Sequence, residues 1–101
     1  MTNDLKKDLG VFREQLDKID SAIILLIAER FKITRGVGKF KKKNKLPPLD
    51  KSREDLIYEK LESKAIDFGI EPNVLKDIWR VIMTQSKKEH KNTISSWKAI
   101  F

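Results

Sequence analysis

The stretch FREQLDKIDSAIILLIAERFKITRGVGKFK, residues 12–41, decides how this chain is read. Alternating steps of four and three from Phe12 pick out Phe12, Leu16, Ile19, Ile23, Leu26, Arg30, Ile33, Val37 and Phe40, apolar at every position but one. That period describes one face of a single long amphipathic helix. Arg30 is the misfit. Burying an unpaired guanidinium is costly, and arginine cannot escape by losing its proton. An anion is therefore expected beside it, either a carboxylate of the protein or the carboxylate or phosphate of a ligand. Lys41 follows after close to three helical turns, so it points the same way from about 16 Å further along. Two cations on one face, at the two ends of one groove, look like a site for a ligand with two negative groups.

The chain has 101 residues and no cysteine, which predicts one small domain without a disulfide framework. Its core is expected over about residues 9–91. The role of the tail, 92–101, is open, and its Trp97, Ile100 and Phe101 would prefer cover from a dimer partner. No apolar run is long enough to cross a membrane, and the opening MTNDLKKDLG is polar and mixed in charge, unlike a signal peptide. A cytoplasmic protein is the simplest reading. Lys+Arg exceeds Asp+Glu by 22 to 15, a net charge of +7, which suits an anionic small molecule and also allows nucleic acid. The basic run from Lys39 to Lys45 is not interleaved with aromatics as a base-stacking surface would be. Lys42, Lys43 and Lys45 read as a solvated helix end, where cations favour the negative pole of the macrodipole. Nucleic acid is not an expected partner, and neither is a membrane.

The fold class is all-α, with three helices and a very long first one. The first helix is expected from about Asp4, capped by Asn3, to about Lys43. Leu46-Pro47-Pro48-Leu49 then breaks it, because proline cannot continue a helix and biases the residue before it away from one. Asp50 is placed to cap the second helix, which runs to about Phe68 and stops at Gly69. Pro72 falls in the first turn of the third, where its missing N–H costs nothing. That helix carries Leu75, Ile78, Trp79 and Ile82 on one face and runs into the nineties; the tail beyond extends it or folds back. No β pattern, repeat or low-complexity segment is present.

A first helix of some forty residues is a rod of about 60 Å, roughly twice the diameter of a compact domain this size. A two-fold dimer with the long helices packed together would cover its apolar seam. Gly36 and Gly38 mark either a close approach by a ligand or a neighbouring helix, or a local bend. Ser86 takes an apolar-face position four residues after Ile82, and His90 follows one turn later. Each has an ordinary alternative: a serine bonded to a backbone carbonyl, and a histidine at a fraying surface end. Arg13 lies 17 residues before Arg30, a rotation of about 100° around the helix. It cannot easily serve Arg30's pocket in its own subunit, but in a packed dimer it would reach the partner's.

Taken together, these residues resemble the all-helical chorismate mutases of the AroQ class, over about Leu9 to His90. Phe12-Arg13-Glu14-Gln15-Leu16-Asp17-Lys18-Ile19-Asp20 resembles the family's opening. Ile27-Ala28-Glu29-Arg30 resembles its Ala-Glu-Arg signature, and Val37-Gly38-Lys39-Phe40-Lys41 its Val-Gly-x-x-Lys element. Asp50-Lys51-Ser52-Arg53-Glu54 resembles the Asp-x-x-Arg-Glu start of the second helix. Each piece is weak alone, but their order and spacing are those of the family.

The resemblance implies an intertwined homodimer with two sites, each built from both chains, and conversion of chorismate to prephenate. By similarity, Arg30 and the Arg13 contributed across the interface hold carboxylates, with Ser86 assisting. Lys41 reaches a carboxylate and the ether oxygen. Asp50 and Glu54, with the backbone near Arg53, fix the ring hydroxyl. His90 departs from the pattern, since the family usually has glutamine or sometimes glutamate there, donating to the ether oxygen. Neutral histidine can donate too, and the cation more strongly, but with a different reach. A Claisen rearrangement is pericyclic, so no nucleophile, metal cluster or cofactor is called for. The enzyme selects the compact conformer and stabilises charge growing on the ether oxygen.

Rival activities on the same fold are isochorismate pyruvate lyase and aminodeoxychorismate mutase; Asp50, Glu54 and Ser86 favour a mutase over the lyase. A non-catalytic binding or regulatory module remains a further alternative, on the strength of His90. A basic helical nucleic-acid binder would leave Arg30 unexplained. With no dehydratase or dehydrogenase domain in the chain, a mutase here is expected to stand alone.

Overall fold

A computed structural model describes residues 2–100, with side chains over 2–90. Three helices account for it: α1 (Asn3–Lys43), α2 (Lys51–Phe68) and α3 (Pro72–Ile100), with no strand among the described residues. The chain divides into two compact units, Met1–Lys32 and Ile33–Phe101, so the boundary falls inside α1. Among the described residues no helix is long and apolar enough to cross a membrane.

The N-terminal unit is one helix. Its cap is Thr2 rather than the expected Asn3: Thr2 Oγ1 accepts the Leu5 N–H at 3.3 Å, and Asn3 is already helical. Both residue types cap well, and the one whose oxygen meets the third N–H into the helix takes the role. No residue of α1 is fully buried. Phe12, Leu16, Ile19, Ile23 and Leu26 of the seam are all exposed, Phe12 at 61% and Leu26 at 67%. Arg30 is half-buried.

The C-terminal unit holds the last turns of α1 with α2 and α3. Helix α1 does not wait for the prolines to stop it. Leu46 N donates to Lys41 O (2.8 Å) and Lys45 N to Lys42 O (3.2 Å), while Lys45 takes the left-handed conformation at φ 55. That is a Schellman end with lysine where glycine is usual. Helix α2 begins as expected, with the Asp50 side chain accepting Arg53 N at 3.0 Å. It ends on Gly69 at φ 70, ψ 30, and Ile70 N closes onto Ala65 O at 2.8 Å.

The short turn after Gly69 sends α3 back along α2. Ion pairs between Lys76 and Glu62 (3.1 Å) and between Lys87 and Glu54 (2.6 Å) mark the antiparallel register. The core sits between these two helices. Leu61 and Ala65 of α2 and Ile82 and Met83 of α3 are its buried apolar side chains among the described residues. Trp79 and Leu75 are half-buried beside them, whereas Ile78, read from the sequence as part of the same face, is exposed. The backbone of α3 stays helical through the tail to Ile100. The side chains of Trp97, Ile100 and Phe101 lie outside the described residues.

Candidate functional site

Lys41 and His90, far apart in sequence, line one cavity of about 320 Å³ in the C-terminal unit, together with Gly38, Lys42, Lys45, Leu46 and Pro48. Local structure explains the gathering. The Schellman turn at Lys45 brings Leu46 and Pro48 back beside the last turn of α1, and α3 supplies His90. Lys41 Nζ lies 3.5 Å from Pro48 O, a weak contact that leaves the ammonium available to an anion. Lys42 and Lys45, read as a solvated helix end, also line this cavity, and Lys42 is half-buried.

His90 is not at a fraying end. It is half-buried on a helix that continues past it, and its Nε2 stands 2.7 Å from Thr34 O of α1. Gly38 makes that approach possible. A Cβ there would fall 2.8 Å from His90 Cδ2 and 3.2 Å from Nε2, closer than side chains pack. Of the readings open for the two glycines, close approach by a neighbouring helix therefore holds at Gly38. Gly36 has nothing within 4 Å of such a Cβ.

The other expected site residues are placed as follows. Ser86 is buried at 7% exposure; its hydroxyl donates to Ile82 O at 3.2 Å and lies 3.5 Å from Thr34 Oγ1. The ordinary serine-to-carbonyl bond is thus present, and rotation of the hydroxyl is all that another acceptor would require. Asp50 serves as the cap of α2, Arg53 gives it a backbone N–H, and Glu54 is paired with Lys87. None of Asp50, Arg53, Glu54 or Ser86 lines the Lys41–His90 cavity. Arg13 and Arg30 belong to the N-terminal unit, Arg13 exposed and Arg30 half-buried. Next to His90 in sequence, Glu89 is engaged by Arg35 at 3.3 Å. Among the described residues no group of three or more His, Asp or Glu side chains converges as metal ligands would.

Two contributors were not visible as site residues in the sequence. Thr34 acts through its backbone carbonyl, which no side-chain pattern reveals. Gly38 was legible only as an odd glycine inside a helix, the one signal that something packs there.

Comparison with known proteins covers most of the chain. The family model described as chorismate mutase type II matches residues 12–91. A chorismate mutase from Methanocaldococcus jannaschii is 28% identical over 79 residues, 78% of this chain and 80% of that protein. The T-protein of Enterobacter agglomerans is 29% identical over 79 residues, 78% of this chain and 21% of its own length. A 4-amino-4-deoxychorismate mutase from Streptomyces pristinaespiralis is 25% identical over 88 residues, 87% of this chain and 68% of that protein. The chain thus spans about a fifth of the T-protein and most of the Methanocaldococcus and Streptomyces proteins. On the match over residues 12–91, which takes in Arg13, Arg30, Lys41, Asp50, Glu54, Ser86 and His90, this chain belongs to the chorismate mutase type II family.

Proposed function

We propose that the chain is a chorismate mutase, an isomerase that rearranges chorismate to prephenate, working as a homodimer in the cytoplasm. The observation that carries this reading is the family match over residues 12–91, which includes the cavity lined by Lys41 and His90. In the rearrangement the ether C–O bond breaks as a C–C bond forms within one molecule, so atoms balance without an external acid, base or cofactor. What the protein must supply is conformation and charge. Arg30 and Arg13 of the partner subunit hold the two carboxylates, with Ser86 assisting, and so keep the side chain folded over the ring. Lys41 meets a carboxylate and the ether oxygen as negative charge grows there. Asp50 and Glu54, beside the Arg53 backbone, take the ring hydroxyl.

The exposed seam of α1 supports the dimer. Phe12, Leu16, Ile19, Ile23 and Leu26 form an apolar stripe that a second long helix would cover. That assembly is also what delivers Arg13 to the opposite site. The test is direct: purified protein is given chorismate, and prephenate is followed with time.

A second substrate is favoured by one specific observation. Relatives named 4-amino-4-deoxychorismate mutase match most of the chain. That substrate carries an amino group in place of the ring hydroxyl that this reading assigns to Asp50 and Glu54, so a side-by-side assay of the two compounds decides between them.

A further inference from the structure

His90 is the only histidine in the chain, and backbone atoms of α1 fix its ring. A carbonyl oxygen only accepts, so the 2.7 Å contact with Thr34 O puts a proton on Nε2. The edge of the ring bearing Cδ2 and Nε2 lies against Gly38. A half-turn of the ring would set Cε1 against the Thr34 carbonyl and lose the bond. A neutral imidazole carries one N–H. With that proton committed to Thr34, Nδ1 holds a lone pair, and among the described residues it has no hydrogen-bond partner.

We infer that His90 is a proton-gated donor, set by the Thr34 carbonyl and by Gly38 as positioning groups: it gives a hydrogen bond to the ligand only as imidazolium, from Nδ1. Neutral His90 offers the site an acceptor, which an ether oxygen or a carboxylate cannot use. A glutamine amide would donate in either condition. The charged groups that line the cavity with His90 are Lys41, Lys42 and Lys45, and Glu89, its neighbour along α3, is tied to Arg35. No residue of α2 lines this cavity. A dianionic ligand seated among these lysines brings negative charge to the ring and favours the imidazolium, so binding takes up a proton. By reciprocity the ligand binds more tightly as pH falls through the range where the ring gains its charge, with a limit of about tenfold per pH unit for one full proton.

This inference rests on the mutase reading for the identity of the ligand, but the state of the ring is read without turnover. With one histidine, nitrogen NMR of the full chain labelled in histidine reports both ring nitrogens without ambiguity. The expected result for the neutral ring is a protonated Nε2 and a bare Nδ1; a protonated Nδ1 in that neutral ring overturns the inference. Adding chorismate should protonate both nitrogens, with matching proton uptake by calorimetry in two buffers of different ionisation heat. No uptake overturns the gating. His90→Gln should abolish the uptake and flatten the dependence of rate on pH. Gly38→Ala should mix the two ring tautomers while circular dichroism stays that of the wild type; an unchanged ring removes the positioning role from Gly38. A folded protein with the expected ring state and proton uptake, but no prephenate, sinks the mutase reading and leaves the gating standing.

Discussion

At the scale of single residues, Lys41 is the group whose removal should be felt most in the chemistry. It lines the cavity with His90 and has only a 3.5 Å contact to Pro48 O, and the proposed mechanism gives it the negative charge that grows on the ether oxygen. Lys41→Ala is predicted to lower kcat/KM by about 10²–10³-fold, the usual loss of one preorganised donor in a dry site, with little change in melting temperature. Steady-state kinetics beside a thermal melt checks both halves, and an unaltered kcat would move the ether oxygen elsewhere. Lys41 was singled out in the sequence because it repeats the direction of Arg30 along one helical face, and the structure gives it a place in the cavity. The bond from His90 to Thr34 O was not, since it joins positions 56 apart through a backbone atom. Gly38 was noticed but left undecided, because a missing side chain says that room is needed and not what fills it.

At the scale of elements, the helix ends make opposite tests of the same strain. Lys45 and Gly69 both sit at positive φ after their helices, one a lysine and the other a glycine. An L-residue with a Cβ pays about 1–2 kcal/mol in that region, and glycine does not. Lys45→Gly is therefore predicted to stabilise the protein by about 1 kcal/mol, and Gly69→Ala to destabilise it by a similar amount. Denaturant titration of the two variants reads both, and a loss of stability in Lys45→Gly would contradict the account of the α1 end. The three helices were readable because their signals are short-range: Asp50 meets a backbone N–H three residues on, Gly69 ends a turn, and Pro72 opens one. The finer boundaries were not. Thr2 and Asn3 are both good caps, one residue apart, and nothing about a lysine announces a left-handed turn at Lys45.

At the scale of the whole molecule, the apolar stripe on α1 is the feature that most needs a partner. Among the described residues the buried apolar core is Leu61, Ala65, Ile82 and Met83, all in the C-terminal unit, while Ile19, Ile23 and their neighbours on α1 face solvent. A dimer through this stripe predicts a melting temperature that falls on dilution. It also predicts that Ile19→Glu with Ile23→Glu shifts the species seen by sedimentation from dimer to monomer and removes activity with it. Full activity in a monomeric variant would mean that Arg13 serves no opposite site. The measurement that tests the central claim most directly is prephenate formation from chorismate by the purified wild-type chain, run beside Lys41→Ala. The account predicts turnover at enzyme-like rates that collapses in the variant. A folded, dimeric wild type that leaves chorismate unchanged would contradict it.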